Sequence, residues 1–358
     1  MWTRLRTPST PRSPGTFSAP GHQEVGHHAF RSPMSRYDAE YVLPLRWHDD
    51  HDLADLTAYL RELSQLLDVT VVDSSQPALF EAHRRAWAGI VRHLKPQQWP
   101  GRNGKVRNVM TGLRSARHER VILADDDVRY EAVALARGLQ LLEGVDLVVP
   151  QNVFTAWPWH ARWDTARQVI NRAFGGDYPG TVFVRRSVIA TEGYDGDVLF
   201  ENLQLMRTVA AGGSVHRALD LYVGRRPPTS RHFRSQRVRQ AYDDFAQPAR
   251  LVTEAMLLPT AVLAWRCSGA RSLAAAAAVG VVLAETGRRR SGGRTAFPAT
   301  TSLWAPVWLI ERAVCIWLAI GLRCIGGVRY SDGRIRHAAT TPRQRRPQRL
   351  PENTRIAA

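Results

Sequence analysis

The chain has 358 residues, 44% of them hydrophobic, and its 49 lysine and arginine residues against 32 acidic ones give a formal charge of +17. That length holds one large or two modest domains with ample material for a core. The three widely separated cysteines, Cys267, Cys315 and Cys324, exclude a disulfide framework and a cysteine metal site, and lying in or beside apolar stretches they read as small buried hydrophobes in a reducing compartment. The basic excess comes without zinc-finger spacing or an RNP-like aromatic run, which argues against a nucleic-acid partner.

The first 36 residues are rich in Pro, Ser, Thr and Arg, lack apolar periodicity and read as a disordered tail. They contain no apolar core of a secretory signal, and Met34 offers an alternative start. Tyr41-Val42-Leu43-Pro44-Leu45 reads as a strand, followed by the acidic turn Trp47-His48-Asp49-Asp50-His51-Asp52 and a helix over 53–67. Val69-Thr70-Val71-Val72 is a second strand, ending at Asp73. A helix is expected over 78–94, then a Gly/Asn-rich loop at 101–105 and a helix over 106–116. Val121-Ile122-Leu123-Ala124 is a strand that runs into three consecutive aspartates; a helix over 132–142 and a strand over 146–150 follow. Strand–helix alternation with acids at strand ends argues for a doubly wound, mostly parallel sheet.

Beyond residue 245 the texture changes. Residues 255–265, 273–284 and 304–327 are apolar and rich in Ala, Leu and Trp. The first two are shorter than the ~20 residues that a bilayer span requires. The third is long enough but carries Glu311-Arg312, costly in lipid unless paired or turned to protein. Adjacent helical residues diverge by about 100°, so that pair is not expected to bridge within its own helix. The region reads as membrane-associated, with interfacial or re-entrant helices; a soluble helical subdomain is the alternative. Basic residues crowd 288–290 and 334–355, beside these segments, which suits an anionic membrane surface and a cytoplasmic α/β domain. The expected division is a tail at 1–36, an α/β domain at 37–245, a membrane-associated helical region at 246–330 and a basic disordered tail at 331–358.

Two clusters carry chemistry on their residue types alone. Asp125 and Asp127 stand at the carboxyl edge of a strand, where open α/β sheets hold ligands. In that spacing two carboxylates share one divalent ion and, through it, a diphosphate. Adjacent negative charges there are costly unless a cation or arginines compensate, and the same triplet also suits a helix N-terminus. In the second cluster His48 and His51 can share a helical face with carboxylates beside them, a set suited to zinc. Capping aspartates before a helix are the alternative.

Further motifs follow in order: Val71-Val72-Asp73-Ser74-Ser75, Asn103-Gly104-Lys105 with Asn108, the aspartate triplet, and the Gly-containing strand beginning Pro179-Gly180-Thr181. Phe200-Glu201-Asn202-Leu203, Gln236-Arg237-Val238-Arg239-Gln240 and Gly327-Val328-Arg329-Tyr330 complete the series. Over residues 40–245, and more weakly beyond, this series resembles the family 2 GT-A glycosyltransferases, in particular the membrane-bound, ceramide-glucosyltransferase-like branch. The resemblance implies an α/β GT-A nucleotide-diphospho-sugar transferase fold with a C-terminal apolar helical region. It implies inverting transfer from a nucleotide-sugar donor, with a lean toward UDP, to a lipid or lipid-linked glycan acceptor at a membrane surface. Asp73 would meet the base, Lys105 the diphosphate with Asn103 in the same donor-binding segment, and Asp126 the ribose or a neighbouring base. Asp125 and Asp127 would hold Mn²⁺ or Mg²⁺. Glu201 falls at the place of the general base, and Gln236 and Arg239 belong to a Q-R-x-R-W signature near the leaving group; an offset register would use Arg234 and Arg237.

The chain departs from that pattern twice. Asn202 replaces an acid, and an amide cannot serve as a base, which leaves Asp195 and Asp197 as substitutes for Glu201; Gln240 replaces the tryptophan. These departures favour one rival, a catalytically inactive relative that binds nucleotide sugar. A second rival, a sugar nucleotidyltransferase, would need a Gly-rich loop after the first strand, where this chain has Trp-His-Asp-Asp.

Overall fold

In the computed structural model, which describes residues 36–330 and 333–340, the apolar runs of the first half become strands of one sheet. These are β1 (Glu40–Leu45), β2 (Asp68–Asp73), β3 (Arg92–Leu94), β4 (Arg120–Ala124), β5 (Val128–Arg129), β6 (Leu147–Phe154), β7 (Thr181–Arg185) and β8 (Val215–Arg225). They lie in the order β3-β2-β1-β4-β7-β6-β8-β5. β1 pairs parallel with both β2 and β4, and β2 with β3. β7 runs antiparallel between β4 and β6, and β8 lies parallel to β6 and antiparallel to β5. The sheet is thus doubly wound and mostly parallel, as expected, with its direction broken at β7.

Helices α1 (Leu53–Leu66), α2 (Pro77–Ala86), α3 (Gly104–Ser115), α4 (Ala132–Leu141), α5 (Trp159–Ala173), α6 (Glu201–Ala210) and α7 (Ser230–Tyr242) alternate with the strands. Successive side chains of a strand point to opposite faces, so each strand feeds two cores. Tyr41 and Leu43 of β1 join Leu56, Leu60 and Leu63 of α1 and Leu135 and Leu139 of α4 on one face. Val42, with Val121 and Leu123 of β4, joins Val106, Val109 and Met110 of α3 on the other. Each such buried aliphatic side chain contributes roughly 1.5–3 kcal/mol relative to exposure.

The helix expected over 78–94 ends at Ala86. Gly89 adopts φ +73°, a left-handed conformation that stops a helix, and the chain then returns as β3 beside β2. The strand expected over 146–150 continues to Phe154.

The carboxyl half adds α8 (Pro248–Ser268), α9 (Ala270–Arg289), α10 (Gly293–Ala296) and α11 (Ala305–Cys324); α8 and α9 extend beyond their apolar runs, and α11 falls within its own. α9 crosses α5 so closely that a Cβ on Gly287 would stand 1.8 Å from the Val169 carbonyl oxygen. Arg312 is fully buried, 2.9 Å from Asp244 and 3.4 Å from Glu254, while Glu311 lies 3.6 Å from Arg237. Glu311 and Arg312 therefore face protein and form ion pairs with other elements. Outward, Val252, Leu263 and Trp265 of α8, Val279 and Val282 of α9, and Ile310 and Trp317 of α11 are exposed. Two helical stretches, Ala270–Ala296 and Ala299–Cys324, are long and apolar enough to cross a membrane. Cys315 is buried as expected; Cys267 and Cys324 are exposed instead, on the surfaces of these helices.

β9 (Val328–Tyr330) and β10 (Gly333–Ile335) form an antiparallel hairpin. Residues 333–340 were assigned to the disordered tail by composition, yet Ile335 and Ala338 are buried, and the backbone carbonyls of His337 and Ala338 accept from Leu199 and Phe200. Tertiary partners, which composition does not register, hold this stretch. The rest of both expected tails, Met34 included, lies outside the described residues.

Arg312→Met should lower stability by about 3 kcal/mol, because removing one partner strands buried carboxylates. Denaturant unfolding measures it; a loss below about 1 kcal/mol would show that the cluster does not anchor α11.

Candidate active site

A cleft of about 450 Å³ opens at the carboxyl ends of β1, β2 and β4, the edge at which such sheets bind ligands. Its walls come from Arg46 and Ser74 behind these strands, the aspartate triplet, Gly180, the start of α6 and one face of α7. The triplet does not begin a helix: it turns between β4 and β5, and α4 starts only at Ala132.

Each aspartate finds a different partner. Asp125 Oδ1 lies 2.6 Å from Lys105 Nζ, and the same ammonium lies 2.5 Å from Glu201 Oε1. Asp126 accepts from the Trp47 indole N–H. Asp127 Oδ2 accepts from Arg225 Nε at 2.7 Å, while its Oδ1 is buried with no hydrogen-bond partner among the described residues. Burial pushes the Asp127 pKa up; Arg225 opposes this and the charges of Asp125 and Asp126 add to it.

Lys105 reaches this place because two loops are joined. Gly101 has φ +104°, and a Cβ there would stand 2.2 Å from the Gly196 backbone. Asn103 N donates to the Gly196 carbonyl at 2.8 Å, and Asn103 Nδ2 to that of Val198 at 2.8 Å. Asn103 Oδ1 caps α3 by accepting from Lys105 N at 3.0 Å. Asn103 is thus a buried support of the cleft, outside its lining. Burial works against the Lys105 charge, but Asp125 and Glu201 outweigh it and hold its pKa above the ordinary value.

Glu201 lines the cleft as the first residue of α6, at the positive end of that helix, and its Oε2 accepts from Asn202 N at 2.8 Å. Asp195 and Asp197 lie outside the cleft lining and brace its loops: Asp195 accepts from Asp197 N, and Asp197 from Arg102 N. On α7, His232, Gln236, Arg239 and Gln240 line the cleft at helical spacing, with Asp243 one turn further. Arg237 points the opposite way, 3.2 Å from Asp164 and with its guanidinium 3.9 Å from the Phe233 ring centre. Arg234 is exposed. The register that uses Gln236 and Arg239 is therefore the one that faces the cleft.

Sequence reasoning missed several lining residues. Arg225 closes β8 against Asp127, Asp244 lies in the turn after α7, and Arg250 and Arg312 come from α8 and α11. Asp243 carried a signal, since it stands four and seven residues beyond Arg239 and Gln236. Burial pushes its carboxyl up to about 7, against the pull of Arg239. Arg312 carried one as well, as a charge within an apolar run.

Asp73 does not line the cleft. It is buried, with Oδ2 2.6 Å from His83 Nδ1 and 3.1 Å from His93 Nε2. Burial alone would raise its pKa, but these bonds outweigh it and hold the carboxyl well below the usual range. The three groups converge as metal ligands do. Their spacings are those of hydrogen bonds, shorter than the about 3.3 Å that ~2.0 Å bonds to tetrahedral zinc would set. His48 and His51 join no such convergence among the described residues; of their neighbours, Asp50 turns to His83 and Asp52 to Arg226.

Both ring nitrogens of His83 meet carboxylates, Asp73 at 2.6 Å and Asp50 at 2.9 Å, an arrangement that favours the charged imidazolium. Burial opposes this charge, and the two carboxylates outweigh it and raise the His83 pKa. Its stabilising contribution should be complete below the unfolded value of about 6.5 and lost as pH rises through the higher folded value. Nitrogen-15 NMR of the imidazole should place the titration above 6.5; a midpoint at or below it would contradict the arrangement.

No protein-family model matches the chain, and no curated protein matches it. Among solved structures, a mannosyltransferase from Pyrobaculum calidifontis in complex with GDP-Man and Mn²⁺ is 20% identical, with 80% of this chain and 88% of that one covered, at a TM-score of 0.47. Glucosyl-3-phosphoglycerate synthase from Mycobacterium tuberculosis, in complex with Mg²⁺ and uridine-diphosphate, is 16% identical over 54% of this chain and 73% of its own, at 0.39. TarS from S. aureus, in complex with UDP-GlcNAc, is 12% identical over 55% and 60%, at 0.38. Likenesses this distant carry neither residue roles nor substrates to this chain.

Proposed function

We propose that the protein is a metal-dependent, inverting glycosyltransferase of the GT-A type. It would move a sugar from a nucleotide-sugar donor, UDP-sugars being the first to test, to a lipid or lipid-linked glycan acceptor. The observation that carries this reading is the convergence of Lys105, the 125–127 aspartates and Glu201 in one cleft at the carboxyl edge of the sheet.

The residues suit a divalent ion. Asp127 keeps a buried carboxylate oxygen without a hydrogen-bond partner among the described residues, and its neighbours Asp125 and Asp126 add negative charge. Asp125 and Asp127 would hold Mn²⁺ or Mg²⁺, hard cations that take oxygen ligands. When bound, the ion supplies positive charge to the departing nucleoside diphosphate. Arg239 and Gln236, on the cleft face of α7, add hydrogen-bond donors at the same place, and Arg225 pairs with Asp127. Glu201 takes the proton of the acceptor hydroxyl as that oxygen attacks the sugar in line. Ser74 reaches the cleft on the base side, with Asp73 and its two histidines bracing the strand end behind it. Asp126 stays in the cleft, held by Trp47, as a partner for ribose or base.

The acceptor class rests on the C-terminal helices. α8 and α11 send Arg250 and Arg312 into the cleft and expose apolar side chains on their other faces. Helices that lie in a membrane interface in this way would present a lipid-borne hydroxyl to Glu201. The Arg288-Arg289-Arg290 run favours the cytoplasmic side. One observation favours a second reading, a nucleotide-sugar-binding relative without turnover: Lys105 holds Glu201, and Asn202 offers no second carboxylate.

Incubation with a nucleotide-sugar panel, Mn²⁺ and a lipid extract should release nucleoside diphosphate, and Asp127→Asn should abolish that release. Turnover that survives chelation would eliminate the metal site. Glu201→Gln should lower kcat by about 10²–10⁴-fold with donor binding kept; full activity would eliminate Glu201 as the base, and donor binding without release by the unaltered protein would select the inactive relative. In a flotation assay the protein should rise with vesicles containing anionic lipid, and a protein left in the aqueous fraction would contradict the membrane reading.

A further inference from the structure

The hairpin of β9 and β10 and the residues after it touch the loop before α3, the loop before α6 and α7, three of the elements that build the cleft. Tyr330 donates its hydroxyl to Asn103 Oδ1 at 2.8 Å. The same oxygen accepts the Lys105 amide at 3.0 Å, so the tyrosine orients the cap of α3 from behind. The Tyr330 ring lies 5.5 Å from the Arg239 guanidinium, within cation–π reach, and Tyr330 itself lines the cleft. Around it, Arg102 donates to the Arg334 carbonyl at 2.8 Å, and Leu199 and Phe200, just before Glu201, donate to the carbonyls of His337 and Ala338 at 2.9 and 2.8 Å. Burial raises the Tyr330 pKa, so the hydroxyl remains a donor at neutral pH.

We propose that Tyr330 is a positioning residue for the cleft, acting through Asn103 on Lys105 and through its ring on Arg239. Its hydroxyl fixes the oxygen that holds the first turn of α3. Without that bond the cap has one partner fewer, the Lys105 amide opens more often, and the ammonium that must sit between Asp125 and Glu201 loses its register. The ring sets the height of Arg239 over the leaving group. Residues 328–330 and 333–340 thereby tie the donor-side loop, the loop before the base and α7 together. The effect on Lys105 can be read without any activity; the effect on nucleotide rests on the transferase reading above.

The test is a double-mutant cycle between Tyr330→Phe and Asn103→Ala, in the full chain. Hydrogen exchange of the segment 101–108, without nucleotide, should speed up in Tyr330→Phe, and the same change should add nothing in the Asn103→Ala background. Binding of UDP with Mn²⁺, or of GDP with Mn²⁺, should weaken about fivefold in Tyr330→Phe, the size of a lost cap, again only when Asn103 is present. Tyr330→Leu, which also removes the ring beneath Arg239, should lower kcat beyond Tyr330→Phe. Exchange at the wild-type rate in Tyr330→Phe, or an equal effect in both backgrounds, would overturn the proposal. A wild-type protein that binds neither nucleotide would sink the transferase reading, while the exchange cycle would still decide the role of Tyr330.

Discussion

One ammonium group, that of Lys105, sits between two carboxylates from different parts of the chain, Asp125 after β4 and Glu201 at the start of α6. Burial disfavours each charge taken singly, and the two anions reverse that penalty for the lysine. Much of the cleft depends on keeping these groups together. It is why the 101–105 loop packs backbone to backbone on Gly196, and why Asn103 is spent on a cap rather than on a ligand. The arrangement is also a charge problem left partly open, because Asp127 keeps a buried oxygen without a hydrogen-bond partner among the described residues. A polar group left in that state is costly unless something else completes it, and in the proposed function a divalent cation would do so.

The C-terminal helices serve two surroundings at once. Their inner faces carry buried charge: Arg312 meets Asp244 and Glu254, and Arg250 meets the same two acids. Their outer faces carry Trp265, Val282 and Trp317 in the open. An ion cluster with partners on three elements fixes how these helices sit on α7, and through Arg250 and Arg312 it also furnishes the cleft. Apolar composition gives the same helices an outward surface that water does not favour. The proposed lipid acceptor joins these two facts, because the polar cleft and the apolar surface share the same two helices.

Much of the α/β part was legible in the sequence because its signals are local. Short continuous apolar runs gave β1, β2 and β4 to within a residue or two, and helical periodicity gave α1, α3 and α4. The helix expected over 78–94 was overextended because one glycine, Gly89, adopts a left-handed conformation that periodicity does not register. Of the residues singled out for the site, Lys105, Asp125, Asp126, Asp127, Glu201, Gln236 and Arg239 come together in one cleft, whereas Asn103 and Asp73 lie behind its walls. Asp73 sits at the expected strand end, but two histidines from α2 and β3 claim its carboxylate. Neither contact is local, so neither was visible in a run of residues.

By itself the sequence determined the positions of most strands and helices, the three adjacent carboxylates at a strand end, and the order of lysine, aspartates, glutamate and arginine along the chain. These follow from dihedral preferences and side-chain periods that act over a few residues. Only the tertiary structure decided which charges meet. It reversed β7 so that Gly180 abuts Asp125, turned Arg239 to the cleft and Arg237 to Asp164, and buried Arg312 against Asp244. It also drew residues 333–340 out of a basic tail and onto the loop before Glu201. The reason is that burial and charge pairing are properties of the assembled neighbourhood: a carboxylate becomes a ligand, a brace or a base according to which cations and donors the fold brings within about 3 Å of it.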